Sequence, residues 1–190
     1  DTRDSEVSAH RGMFHEVNLK LSPGGVGGLP YRYAQVNVNT RFYAPIVRKG
    51  WLTFGTRVVG DVLIGDAPFY ELARYDDTYA VGGPNGVRGV PTQRYYGKIK
   101  VFANTELRSE LIRFKAFQKE IKIGPVAFFD AGRVWADTSV QPQLDGTGAG
   151  IHWGAGGGLR FQSGDAFVIR ADVGGSPETV AGYFGVGQNF

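Results

Sequence analysis

Across residues 35–42 the chain alternates residue by residue: Val36, Val38, Thr40 and Phe42 are apolar or small, while Gln35, Asn37, Asn39 and Arg41 between them are polar. A two-residue period places alternate side chains on opposite faces of a strand, so the stretch reads as a strand with one apolar and one strongly polar face. The same pattern recurs along the chain, broken by clusters of Gly, Pro, Asp and Ser that punctuate strands. Met13, His15, Val17, Leu19 and Leu21 oppose Phe14, Glu16, Asn18 and Lys20 before the turn SPGGVGGLP. Leu52, Phe54, Thr56, Val58, Val62 and Ile64 oppose Thr53, Arg57 and Asp61, and a long loop follows from about Asp66 to Gly97. Val101, Ala103, Thr105 and Leu107 then alternate with Phe102, Asn104, Glu106, Arg108 and Glu110, and GPVAFFDAGRVW sets Ala127, Phe129 and Ala131 against Phe128 and Asp130. Three shorter segments, centred on Leu159, Ile169 and Phe184, complete about eight strands, the last expected to run to Phe190.

Alternation alone fits two architectures. In a soluble sandwich or barrel the apolar face fills a core; in a membrane barrel the apolar face meets lipid and the polar face lines the lumen. The membrane version is favoured by segments near the roughly 9–11 residues of a tilted membrane strand. Short turns alternating with longer loops, and aromatic residues near strand ends, point the same way. Gly is 29 of 190 residues, about twice the roughly 7% of average usage, and aromatics are 13%, a profile of ordered β structure in one domain, residues 1–190. A net charge of +3, with 21 basic and 18 acidic residues interspersed, offers no concentrated basic face for nucleic acid. The chain has no Cys, which excludes disulfides and thiol chemistry. No run of about 18 apolar residues reads as a membrane-spanning helix. No signal peptide is visible, so an exported protein is expected here in mature or trimmed form. A mean hydropathy of -0.19 does not separate the two architectures, because a barrel averages its two faces.

Four stretches in order along the chain decide between them: the opening DTRDSEVSAHRGMFHEVNLKLSP, the loop GGPNGVRGV, the pair NTELRSEL and GPVAFFDAGRVW, and the ending GYFGVGQNF. Together they resemble the Omp85 superfamily, also called the bacterial surface antigen family, over essentially the whole chain. The resemblance implies an all-β transmembrane antiparallel barrel in the bacterial outer membrane, assisting insertion or translocation of outer-membrane proteins. It aligns the chain with the last eight of the family's sixteen strands, without the periplasmic POTRA repeats. Eight strands close into a barrel just wide enough for side chains, leaving no room for an inward loop of that length. The chain is therefore expected either to close alone or to form half of a sixteen-stranded homodimeric barrel through its edge strands. A passive pore, and a part of a longer Omp85 protein, are the alternatives.

In the family the loop folds into the lumen and its arginine meets acidic residues of the wall. Motif matching assigns that loop to Gly86, Val87, Arg88 and Gly89 and the partners to Glu106 and Asp130, a geometry in which a guanidinium bridges two carboxylates. Gly86 and Gly89 are expected to supply the tight backbone, and Val90 stands where the family usually has an aromatic residue. Tyr183, Gly185 and Phe190 match the terminal pattern read by the assembly machinery, with Gln188 departing from it. Glu16, Lys20, Arg41, Arg57, Arg108, Glu110, Arg160, Arg170 and Asp172 are expected to form a mixed-sign lumen. Neither His10, His15 and His152 nor any motif has the spacing of a metal or catalytic site, so no enzyme activity, metal or cofactor is expected. Asp76 and Asp77 are more simply solvated than cation-binding.

Overall fold

The computed structural model describes residues 1–25, 30–47, 50–73, 81–95, 97–116, 118–145, 148–164 and 167–190; Asp76 and Asp77 lie outside the described residues. Its strands are β1 (Gly12–Pro23), β2 (Arg32–Pro45), β3 (Leu52–Gly65), β4 (Ile99–Ser109), β5 (Ile112–Ala116), β6 (Lys119–Trp135), β7 (His152–Ser163), β8 (Phe167–Gly175) and β9 (Val180–Val186), with short helices α1 (Phe69–Ala73) and α2 (Pro142–Asp145) in connections. They form one antiparallel sheet in the order β1-β2-β3-β4-β6-β7-β8-β9, with β5 paired to β6. Eight strands lie on the main path, the number expected. Neighbours in sequence are neighbours in the sheet, the simplest route for hairpin connections.

β5 was not anticipated, because Arg113, Lys115, Lys119 and Glu120 mask the apolar signal of its hairpin. In effect β5 continues β4 beyond a break at Glu110 and Leu111: both strands pair with β6, and Leu111 N–H donates to the Ile123 carbonyl at 3.1 Å. The break lies opposite Gly124 and Pro125, where proline has no N–H to give a ladder. A Cβ on Gly124 would fall 1.6 Å from the Ser109 carbonyl oxygen. At roughly 3.3 Å per residue the 17-residue β6 extends about 56 Å, well past a bilayer core of roughly 30 Å even when tilted.

The two faces have inverted polarity. Asn37, Arg57, Asp61, Asn104, Glu106, Asp130 and Asp172 are buried, whereas Val17, Leu19, Leu21, Leu159, Val173 and Phe184 on the opposite face are exposed, Phe184 by 79%. A soluble sheet buries its apolar face, since each exposed Leu or Phe forgoes about 1.5–3 kcal/mol of burial. The inward face here is polar and the outward face apolar, which is the arrangement of a barrel wall in lipid.

The sheet has two edges, β1 and β9, and these do not pair with each other. Closure of a single chain on itself, one of the two arrangements expected, is therefore not the state observed. One mouth carries the first residues, the turn at 46–51, the β5–β6 hairpin, the turn at 164–166 and the segment 187–190; the other carries the connections 24–31, 66–98, 136–151 and 176–179. In the third of these, Asp145 accepts the backbone N–H groups of Ala136 and Gln141, both at 2.7 Å. Those two bonds, Ala136 first, hold its carboxyl below the usual carboxylate range.

Phe190 is corrected by the structure. β9 stops at Val186, and Gly187 turns the chain at a φ of 94°, a left-handed conformation open to glycine. The following residues run inward, and Phe190 is buried with Ala9 and Tyr43 instead of ending a lipid-facing strand. Its ring stacks on Tyr43 at 6.2 Å and lies 4.7 Å from the Arg108 guanidinium.

The inverted polarity predicts the response to charge on the outer face. Leu159→Arg, at an outward position near the middle of β7, is expected to cost about 2–4 kcal/mol when unfolding is followed in lipid vesicles. On a water-exposed sheet the same change stays within about 0.5 kcal/mol, and an unshifted denaturation midpoint would contradict the lipid-facing assignment.

Candidate functional site

The described parts of the connection 66–98 lie against the polar inner face and are held at three places. At its start, Glu71 of α1 is buried and meets Lys20 of β1 at 2.5 Å, while Lys100 of β4 donates to the Leu72 carbonyl at 3.0 Å and pairs with Asp61 at 3.3 Å. At its exit, the ring of Tyr95 stacks on His152 at 3.6 Å and its hydroxyl donates to Glu178 at 2.9 Å. Burial, and next the hydrogen bond to that carboxylate, raise the Tyr95 phenol above its ordinary range.

Between them sits the motif. Arg88 is fully buried. Its Nε and Nη2 donate to the two carboxylate oxygens of Asp130 at 2.7 and 2.9 Å, and its backbone N–H donates to the same group at 3.1 Å. Nη1 donates to Glu106 at 2.6 Å and stands 3.5 Å from Asp172. The Phe128 ring lies 3.5 Å from the guanidinium carbon, a cation–π contact strengthened by the absence of water. β4 and β6 pair Asn104 with Asp130 and Glu106 with Phe128, so two neighbouring strands present this bed of acceptors and ring side by side. Arg88, Glu106 and Asp130 thus meet. Asp172 is an additional contact that motif matching did not assign, because β8 reaches the site only through the curvature of the sheet.

The ion pairs continue beyond Arg88. Glu106 also accepts from Arg108 at 2.7 Å and from Arg160 at 3.3 Å, and Arg160 in turn pairs with Asp172. Three carboxylates, of Glu106, Asp130 and Asp172, thereby meet three guanidiniums, of Arg88, Arg108 and Arg160. Buried charges are tolerated when paired and hydrogen-bonded in this way.

Wall side chains also bind the loop backbone. Arg57 donates to the Asn85 carbonyl, Asn104 to that of Gly86 at 2.6 Å, and Ser176 to that of Gly89 at 2.7 Å. Gly89 N–H donates to the Tyr183 hydroxyl at 2.8 Å. Gly89 has a φ of 92°, as the tight turn requires, but Gly86 is not among the positive-φ residues. Val90, standing where the family has an aromatic residue, is buried with Val81, Val87, Val59 and Phe102. Tyr183 and Gly185 share the inner side of β9, and only Tyr183 touches the loop.

A row of glycines makes the close approach possible. A Cβ on Gly154 of β7 would fall 1.9 Å from the Arg88 carbonyl oxygen, one on Gly156 would fall 2.6 Å from the Phe128 ring, and one on Gly174 of β8 would fall 3.2 Å from Arg88. Gly154, Gly156 and Gly158 recur with period two on the inward side of β7, a signal visible in HWGAGGGLRF that was read only as a high glycine content.

A curved antiparallel sheet, apolar outside and polar inside, with a loop drawn onto its inner wall by a buried arginine, defines a unit of an outer-membrane barrel. The Omp85 superfamily domain matches residues 1–190, and the chain belongs to that superfamily. Among solved structures the chain is similar to BamA from Haemophilus ducreyi lacking POTRA domains 1–3, at 18% identity and a TM-score of 0.73. That match covers 98% of this chain, which spans 40% of the length of the BamA chain. No curated protein matches the chain.

Arg88→Ala leaves the Asp130 carboxylate buried without its bidentate partner, and breaking a buried pair on one side costs about 3–5 kcal/mol. The expected result is a lower melting temperature of the detergent-purified protein and faster proteolysis within 66–98. Adding Asp130→Asn is expected to recover part of the loss, since the stranded charge is removed. Gly154→Val is expected to produce the same loop-selective proteolysis while the strands stay protected.

Proposed function

We propose that this chain is half of an Omp85-type ring that assists insertion or translocation of outer-membrane proteins in the bacterial outer membrane, and that a second copy supplies the other half. The observation that carries this reading is the pair of free edges. In hydrocarbon each unpaired backbone group costs several kcal/mol, so β1 and β9 need strand partners there. Two copies joined β1 to β9 meet that need and widen the lumen enough for the inward loop.

The edges are unequal. β1 makes twelve residue pairs with β2, whereas β9 makes seven with β8. A seam between β1 and β9 has at most the seven residues of β9 to pair, no more than the β8–β9 ladder, and as the one ladder between separate chains it is the place where a client strand enters at least cost. The role assigned to Arg88, Glu106 and Asp130 is conformational: they hold the loop against the wall while the seam works. Tyr183, Gly185 and Phe190 act, in this reading, as an assembly signal before the last residues fold inward. The 40% share of the BamA chain favours a second reading, in which the complementary strands belong to a longer chain of which these residues are one part.

Cysteines placed at Val17 and Val186, one on each edge strand, test the arrangement. A disulfide that joins two chains, giving twice the 20.6 kDa protomer mass, is expected; a bond formed only within one chain would sink the two-copy ring. In proteoliposomes the unlocked protein is expected to speed folding of a urea-unfolded small outer-membrane barrel several-fold, and the locked form to lose that effect. Steady ion conductance with no acceleration in either form would point to a passive pore.

A further inference from the structure

The inner face holds a second group of arginines built differently from the first. Arg41 and Arg57 are direct cross-strand partners in the β2–β3 ladder, and like charges directly opposite each other are destabilising. Arg170 reaches the same region from β8: it donates to the Asn189 side-chain oxygen at 2.6 Å, and that of Asn85 lies 3.4 Å away. Arg57 bonds the backbone carbonyls of those same two residues and the Asn104 side chain. Arg57 and Arg170 are buried and Arg41 half-buried. Among the described residues none of the three is within ion-pair distance of a carboxylate. Around Arg88 every guanidinium has one; here Arg57 and Arg170 converge on amide oxygens with Arg41 beside them.

The group has unused donors and a space beside it. Arg41 Nε, Arg170 Nε and Asn189 Nδ2 have no hydrogen-bond partner. Because the Asn189 oxygen is engaged by Arg170, its amide nitrogen has a fixed side, and that nitrogen donates only. Asn189 is 5% exposed. It lines a cavity of about 390 Å³ with Arg41, Val168 and Phe190, and Phe167 and Val186 bring exposed apolar surface to it. The exposed carboxylate of Glu6 also lines the cavity without pairing to Arg41. Gly185 leaves room for Arg170, since a Cβ there would come within 3.1 Å of its Nε.

We propose that this mouth of the lumen is an oxyanion site, where Arg41 and the Asn189 amide, both lining the cavity, take up a phosphate-type group backed by the charges of Arg57 and Arg170. Guanidinium forks match the oxygens of such a group, and its negative charge removes the Arg41–Arg57 repulsion. Two sources carry this chemistry: free phosphate, or the headgroup of a phosphorylated amphiphile whose chains run along Phe167 and Val186.

Calorimetric titration of the full chain in phosphate-free detergent, with inorganic phosphate and separately with short-chain phosphatidate, tests the site. Saturable binding near one per chain is expected, weakened tenfold or more by Arg41→Gln and by Arg170→Gln. Arg113→Gln, at the same mouth but outside the cavity, is expected to bind as the parent does. Phosphatidate binding at least tenfold tighter than phosphate identifies a lipid headgroup as the source, and equal affinity identifies the free anion. Arg41→Lys, which keeps the charge and loses the fork, is expected to bind with intermediate affinity; it decides the matter should Arg170→Gln fail to fold. Absence of saturable binding by either probe, or parental affinity in both Arg41 variants, overturns the proposal.

Discussion

Everything inside this sheet follows from its inverted polarity. A wall that gives lipid its apolar side points most of its polar side chains inward, and those that become buried must satisfy one another. The wall does not manage this alone. Around the motif it supplies the carboxylates of Glu106, Asp130 and Asp172, and Arg108 and Arg160 pair with the first and the last, so among the described residues Asp130 has no ion-pair partner in the wall. Arg88 neutralises it from outside the sheet. The loop thus supplies the counterion of Asp130, which is why its motif lies on the inner face when it is free to extend into solvent.

The loop and the β9 edge are also joined. Gly89 is tied to Tyr183 in β9 and to Ser176 just before it, while Arg57 bonds both Asn85 in the loop and Asn189 beyond the strand. Whatever strand lies against β9 therefore bears on residues in contact with the motif. A second chain at that edge and the loop within the lumen belong to one connected set of hydrogen bonds.

Much of this was legible in the residues. Period-two alternation located all eight main strands, since a half-buried strand writes its two faces directly into the order of side chains. Which face pointed inward was not legible, because alternation is symmetric until burial or a family motif breaks the tie. Arg88, Glu106 and Asp130 were reachable through the resemblance, because each lies in a short conspicuous motif. Asp172, Phe128 as the ring beside Arg88, and the Asn85–Asn189 bridge were not, because they depend on curvature that brings β8 and the last residues to positions far away in sequence. The inward turn at Gly187 was hidden for a local reason: an aromatic residue after a strand looks the same whether the strand continues or the chain turns.

The glycines under Arg88 have a mechanical consequence. Gly154 of β7 and Gly174 of β8 offer the backbone at Arg88 a surface without side chains to interlock with, so little unpacking at that point resists sliding or lifting. What resists is the packing of Val81, Val87 and Val90 on Val59 and Phe102 together with the charged bonds at Arg88, whose strength depends on the dielectric around them. The charged half of that hold loosens to the extent that water is admitted to the lumen.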